Sequence, residues 1–194
     1  MKQTSKNFTK DFKNKTVLIT GHTGFKGSWL ALWLVKLGAK VYGVSKSIPT
    51  NPSLFEITDL KNHLVDIREN IKNFSKVSKI INDIKPDFVF HLAAQSLVRT
   101  AYEDPIETWE TNVMGSVNVL ESLTTLNKKC ACVMVTSDKC YDNVEWYWGY
   151  KETDKIGGKD PYSASKGSAE IAIRSYNESF FNKNNFINVA SVRA

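Results

Sequence analysis

Short, nearly continuous apolar runs alternate along this chain with stretches in which apolar residues recur every three or four positions. The runs are Thr16–Thr20 (TVLIT), Lys40–Val44 (KVYGV), Phe88–Leu92 (FVFHL), Cys132–Thr136 (CVMVT) and Ile187–Val192 (INVASV). They are rich in β-branched or aromatic residues. That pattern predicts strands buried on both faces, as in a parallel sheet. His63–Val65 reads as a further short strand.

Helical spacing fills the intervals. Leu30, Trp33, Leu34 and Leu37 fall at i, i+3, i+4 and i+7, which predicts one buried helix face, and Gly38 supplies the stop. Phe74, Val77, Ile80, Ile81 and Ile84 form a second set, ended by Pro86. Ile106–Leu126 and Tyr162–Phe181 read as two long helices. Strands alternating with helices predict βαβ units with right-handed crossovers. The fold class is therefore α/β: a Rossmann-type doubly wound parallel sheet with helices on both faces. Two long connections break the rhythm, Ser45–Asp59 and Ser137–Pro161. The second directly follows a strand, where open α/β sheets bind ligands.

Composition narrows the picture. With 194 residues and 42% hydrophobic content, the chain suits one domain with a real core. No run approaches the roughly 18 apolar residues of a membrane span, and no secretory h-region is visible. Three cysteines, an odd number, predict a reducing, cytoplasmic setting without a disulfide framework. A net charge of +6 suggests an anionic partner. Residues 1–15, however, hold five lysines against Asp11, so the rest of the chain carries only +2. Residues 1–14 are thus expected to form a basic flexible tail, and residues 15–194 the folded domain. No basic stripe with interleaved aromatics is present, so neither nucleic acid nor membrane is expected as a partner.

Gly21-His22-Thr23-Gly24-Phe25-Lys26-Gly27 follows the first strand and opens the first helix. Glycines permit the tight turn and let backbone approach a pyrophosphate, while the helix N-terminus presents amides and a positive dipole end. The spacing is G-x-x-G-x-x-G, not the commoner G-x-G-x-x-G. Its context makes it a candidate dinucleotide site. An acidic residue near the end of the second strand usually holds the adenosine ribose. Here Ser45 and Lys46 stand there, which departs from the NAD pattern and leaves NADP open. Asp66 reads either as an adenine contact or as a helix N-cap, with Ile67 beside it. Leu92, Ala93 and Ala94 are small or apolar residues past which a cofactor can run. His91 reads as a packed histidine or as a catalyst.

Tyr162 and Lys166 stand at i and i+4 on one predicted helix face. An ammonium beside a phenol stabilises the phenolate, which near a nicotinamide can take a hydroxyl proton while hydride leaves carbon. Cys130, Cys132 and Cys140 lack C-x-x-C spacing and the three histidines are scattered, so no metal site is expected.

GHTGFKGSWL (Gly21–Leu30), NPSLFE (Asn51–Glu56), HLAAQSLVR (His91–Arg99), TSDKCYDN (Thr136–Asn143), WGYKE (Trp148–Glu152) and GGKDPYSASKGSAE (Gly157–Glu170) resemble the extended short-chain dehydrogenases/reductases, over roughly residues 15–194. Within that family they resemble the sugar-nucleotide 4,6-dehydratases, nearest to the branch that acts on CDP-glucose. The resemblance implies NAD as cofactor and a nucleotide sugar as substrate. Hydride leaves C4, water is lost across C5 and C6, and hydride returns to C6. It assigns Tyr162 as base for the 4-OH, Lys166 as its support, Ser137 as a hydrogen-bond partner of the C4 oxygen and Asp138 as the acid for the departing 6-OH. Lys139 stands where relatives have Glu, and is either the C5 base at a lowered pKa or a binding group. Gln95, Ser96 and Arg99 are implied near substrate, although Arg99 equally suits a surface ion pair. Trp146, Tyr147, Trp148 and Tyr150 either wall the pocket or pack on themselves. The two long helices resemble the pair through which the family dimerises. Epimerase-type chemistry remains an alternative, as does a nucleotide-binding module with little turnover. Members of the family continue past the last strand into a smaller substrate domain, which this chain, stopping at Ala194, is expected to lack.

Overall fold

In the computed structural model, which describes residues 8–183 and 186–194, the six strands form one parallel sheet. The elements run α1 (Phe8–Phe12), β1 (Thr16–Thr20), α2 (Phe25–Lys36), β2 (Lys40–Ser45), α3 (Leu54–Ile57), β3 (Val65–Arg68), α4 (Phe74–Ile84) and β4 (Phe88–His91). They continue with α5 (Val98–Glu103), α6 (Pro105–Trp109), α7 (Gly115–Thr124), β5 (Cys130–Thr136), α8 (Pro161–Tyr176) and β6 (Ile187–Arg193). The strand order is β3-β2-β1-β4-β5-β6, the doubly wound order with its reversal between β1 and β4.

Alternation along β1 explains the two-sided core. Leu18 packs on one face with Val89, Met134, Val77, Ile81 and Leu120. Val17 and Ile19 pack on the other with Ala31, Leu34 and Phe55. Successive strand residues point to opposite faces, so a strand covered on both sides must be apolar throughout. On α2 the buried face is Gly27, Ser28, Ala31 and Leu34. This corrects the expected stripe: Trp33 is half exposed, and Leu30 and Leu37 are only partly buried. Small residues let the helix approach the sheet, and the bulky ones fall to its flanks. At the end of α2, Gly38 adopts φ +81°, with Gly38 N–H donating to Val35 O at 3.0 Å and Ala39 N–H to Leu34 O at 3.1 Å. This is a Schellman stop.

Other boundaries move. The third strand is Val65–Arg68, not His63–Val65; His63 ends a 3₁₀ turn at Leu60–Asn62. The helix expected over Ile106–Leu126 is α6, a π-helical turn at Glu110–Met114, and α7. The helix expected to reach Phe181 closes with a second π turn, Asn177–Phe181. Of the expected tail, residues 1–7 lie outside the described residues, while Phe8–Phe12 is helical and Phe12 packs on Phe88 with ring centroids 4.9 Å apart. Among the described residues, no helix is long and apolar enough to cross a membrane.

Candidate active site

A cleft of about 460 Å³ opens at the C-terminal ends of the strands, beside the β1/β4 reversal. One wall is the loop Gly21–Gly27, represented by Gly21, Thr23, Gly24, Phe25, Lys26 and Gly27. Gly21 sits at φ +78°, and a Cβ there would lie 2.7 Å from Ala93 N. A Cβ on Gly27 would lie 2.1 Å from Gly21 O. Both positions therefore demand glycine. Gly24 caps α2 without any side-chain acceptor, so the first-turn amides face an anion site. Leu92, Ala93 and Ala94 line the cleft next to it. A narrow, glycine-built cradle at a helix N-terminus fits a dinucleotide pyrophosphate.

Tyr162, Lys166 and Ser137 line the same cleft. Asp160 caps α8, its Oδ1 accepting from Tyr162 N–H at 2.9 Å and Ser163 N–H at 3.0 Å, with Pro161 at the first helical position. That cap fixes Tyr162 in the first turn and Lys166 one turn on, both buried. Burial, then the charge of Lys26, lowers the Lys166 pKa to about 8. Ser137 directly follows β5 and donates to Asp138 Oδ1 at 3.0 Å.

Asp138 and Lys139 lie outside the cleft lining and pair with each other at 3.1 Å, their side chains 65% and 56% exposed. Partial burial pushes the Asp138 carboxyl upward, but hydrogen bonds from Lys139 and Ser137 outweigh it and hold the pKa below its ordinary value. Asp66 is neither a helix cap nor a wall of the cleft. It lies within β3, its Oδ1 3.0 Å from His22 Nε2 and its Oδ2 2.7 Å from Arg68; Asn73 caps α4 instead. Ile67 packs toward the core. Of the three substrate candidates, Ser96 lines the cleft. Gln95 turns inward, its side-chain amide donating to Leu97 O and Thr108 Oγ1. Arg99 lines a separate shallow depression on α5 with Val98, Tyr102 and Glu103.

His91 is structural. Its Nδ1 is 2.7 Å from Thr20 Oγ1 and its Nε2 3.1 Å from Ser116 Oγ, and burial, then the Lys166 charge, lowers its pKa to about 3. Asn112, in the π turn, receives Gln95 N–H at 2.8 Å and donates to Gln95 O at 3.0 Å and Ser165 Oγ at 2.9 Å. It ties the Ala93–Gln95 wall to the helix of Tyr162. Tyr150 stacks on Tyr141 at 5.1 Å and contacts Trp146 at 5.5 Å, so that part of the loop packs on itself. Tyr147 and Trp148 are exposed, and neither lines the cleft.

Sequence reasoning passed over Glu69, Asn70 and Ile71 after β3, Ser47 and Pro49 after β2, and Thr111, all of which line the cleft. The rule that ligands gather beyond strand C-terminal ends points to the β2 and β3 groups. Among the described residues, no cluster of metal-ligating side chains occurs.

The family model described as GDP-mannose 4,6 dehydratase matches residues 18–190. CDP-glucose 4,6-dehydratase of Salmonella typhimurium is 51% identical over 193 residues, covering 97% of this chain and 53% of that protein. GDP-mannose 4,6-dehydratase of Vibrio cholerae is 29% identical, with 86% of this chain and 46% of that one covered. The solved UDP-glucose 4-epimerase of Thermus thermophilus, in complex with NAD, superposes with a TM-score of 0.78 at 25% identity, over 92% of this chain and 54% of its own. The chain spans about half the length of the curated relatives it matches. Matched over nearly its whole length, and carrying the glycine cradle and the Tyr162/Lys166 pair in one cleft, the chain belongs to the GDP-mannose 4,6 dehydratase family of extended short-chain dehydrogenases/reductases.

Proposed function

We propose that residues 15–194 form the dinucleotide-holding unit of an NAD-dependent sugar-nucleotide 4,6-dehydratase, a hydro-lyase acting on CDP-glucose. The observation that carries this reading is the meeting of Tyr162, Lys166 and Ser137 with the Gly21–Gly27 cradle in one cleft. A relative 51% identical that acts as CDP-glucose 4,6-dehydratase supports the substrate.

Gly21–Gly27, Leu92–Ala94 and Lys166 would hold NAD, whose nicotinamide would supply a hydride acceptor and, later in the turnover, a hydride donor. Tyr162 takes the proton of the sugar 4-OH as its C4–H bond breaks. Lys166, one turn away, stabilises the phenolate. Ser137 holds the C4 oxygen. The resulting 4-ketone acidifies C5–H, so that loss of the 6-OH as water becomes possible. Asp138 donates the proton to that leaving group, and Lys139 receives the C5 proton once it has passed its own ammonium proton to Asp138, the carboxylate it pairs with. Their mutual pairing, outside the cleft lining, holds Asp138 ionised, so Asp138 must take up a proton before it can act as an acid.

Three unpaired, buried cysteines support a cytoplasmic location. The exposed, apolar Ile106 and Ile171 support pairing as a homodimer through α6–α7 and α8. Incubation with CDP-glucose tests the reading: a 4-keto-6-deoxy product with alkali-induced absorbance supports it, and an epimerised sugar without water loss contradicts it.

A further inference from the structure

His22 is a buried titratable side chain that the proposed reaction does not use. It follows the first glycine of the cradle, is fully buried and lies outside the cleft lining. Its ring lies against β2 at Gly43, where a Cβ would stand 2.3 Å from His22 Cγ. Gly43 is the register partner of Asp66 on β3. A bare glycine backbone therefore lets a residue just beyond β1 reach a carboxylate two strands away. His22 Nε2 lies 3.0 Å from Asp66 Oδ1, and Nδ1 lies 3.0 Å from Ser45 Oγ. Burial outweighs the Asp66 charge and lowers the His22 pKa, so the ring is neutral at pH 7. A carboxylate only accepts, so Nε2 carries the proton and Nδ1 accepts from the Ser45 hydroxyl. Ser45 Oγ in turn receives Thr23 N–H at 3.4 Å. Asp66, His22, Ser45 and Thr23 thus form a directed chain that ends on a backbone amide of the cradle. The His22 carbonyl also accepts from Ser28 Oγ, in the first turn of α2, at 2.9 Å.

The ring is gripped from outside the cradle as well. Phe55, only 2% exposed, meets it edge-on with centroids 5.3 Å apart. Arg68, 2.7 Å from Asp66 Oδ2, lies 5.4 Å over the face of Phe55. His22, Asp66, Arg68 and Phe55 therefore close a circuit of contacts. Phe55 belongs to Asn51–Glu56, a distinctive stretch of the sequence that supplies no residue to the cleft lining. Ser53 caps its short helix, receiving Glu56 N–H at 3.2 Å and donating to Glu56 Oε2 at 2.6 Å, which holds Phe55 in place.

Resting on the reading of the cleft as a dinucleotide site, we propose that His22 is a positioning residue of that site: held between Asp66 and Ser45, it fixes the Thr23 amide of the cradle, and through Phe55 it makes Asn51–Glu56 part of the frame that sets cofactor affinity. The test is isothermal titration calorimetry with NAD on the purified protein, beside melting temperatures without NAD. H22F keeps an aromatic ring and leaves Asp66 its Arg68 partner, but breaks both imidazole hydrogen bonds. A neutral hydrogen bond is worth about two- to tenfold in an equilibrium constant. H22F should therefore raise the NAD dissociation constant about threefold or more, and a smaller rise overturns the proposal. F55L, outside the cleft lining, should raise it about twofold or more, and a smaller rise overturns the part given to Asn51–Glu56. Both act through one circuit, so the double variant should show less than the product of the single effects; a full product overturns the shared path. A purely structural role would lower the melting temperature and leave the dissociation constant of the folded protein unmoved. Nitrogen-15 NMR reads the direction of the chain: the histidine signal absent from H22F should be the Nε2–H tautomer at pH 7, and an Nδ1–H tautomer overturns it. Should H22F not fold, F55L carries the same decision. Failure of the wild type to bind NAD overturns the cleft reading itself, a result separate from NAD binding that H22F leaves intact.

Discussion

Glu170 Oε2 lies 2.8 Å from Arg193 Nη2, with the two side chains only 4% and 16% exposed. The same Glu170 accepts from Thr136 through its other oxygen and from Ser191 Oγ at 3.1 Å. Arg193 also donates to the Tyr141 hydroxyl at 2.8 Å and lies 4.9 Å over its ring. One enclosed ion pair thus ties α8, which carries Tyr162 and Lys166, to the C-terminal ends of β5 and β6. Breaking such a pair strands a buried charge. Glu170→Ala and Arg193→Ala should each cost about 3 kcal/mol in urea unfolding. The double variant should cost clearly less than the sum of the two, because neither charge is then left alone. Single losses under about 1 kcal/mol would contradict the assignment of a structural clamp.

Lys166 is held at about 8, below its ordinary value, by burial and then by Lys26. Between pH 8 and about 10.4 the unfolded chain retains a proton that the folded chain has shed, so stability should rise as pH rises through that window. Below pH 8 the buried ammonium is a standing cost. Lys166→Met should therefore stabilise the ligand-free protein by up to about 3 kcal/mol at pH 7, lose most of the rise toward pH 10 and abolish turnover. Denaturant titrations at pH 7 and pH 10 check this; a less stable Lys166→Met protein at pH 7 would contradict it.

Gly27→Ala places a Cβ 2.1 Å from Gly21 O and 2.8 Å from Gly21 C, both backbone atoms that cannot step aside cheaply. The expected result is a loss of about 1–3 kcal/mol from overpacking together with loss of NAD binding. Gly24→Ala meets only Gly21 O at 3.4 Å. It should keep its melting temperature while weakening NAD, since its methyl enters the cradle and not the packing. Thermal melts with and without NAD separate the two variants.

Asp138 and Lys139 form an exposed pair outside the cleft lining. Lys139→Ala should change stability by less than about 0.5 kcal/mol. If Lys139 takes the C5 proton, the same variant should lose about 100-fold or more in dehydration while still oxidising C4. Unchanged dehydration in Lys139→Ala would assign that proton to another group.

The middle of the sheet was legible because its strands are covered on both faces: Thr16–Thr20 and Phe88 onward stand out by nearly unbroken apolar character. β3 was misjudged because Val65 and Arg68 are exposed at the sheet edge, where burial no longer enforces an apolar run. On α2 the positions that pack are Gly27, Ser28 and Ala31, chosen for smallness, so a search for large apolar residues pointed to Trp33 instead. In the site, the glycine cradle and the Tyr162/Lys166 pair were readable because each is local: a tight turn, or one turn of helix. Asp66 was not, since its partner His22 meets it only after β1 and β3 are brought onto one sheet. The same holds for the cleft wall at Asn70–Ile71, which follows a strand the sequence placed too early.

The most direct test of the account uses CDP-glucose carrying deuterium at C4, with the product examined by proton NMR. Hydride taken from C4 and returned within one active site predicts deuterium at C6 of a 4-keto-6-deoxy product, with a solvent-derived proton at C5. Deuterium remaining at C4, or lost without appearing at C6, would contradict the account.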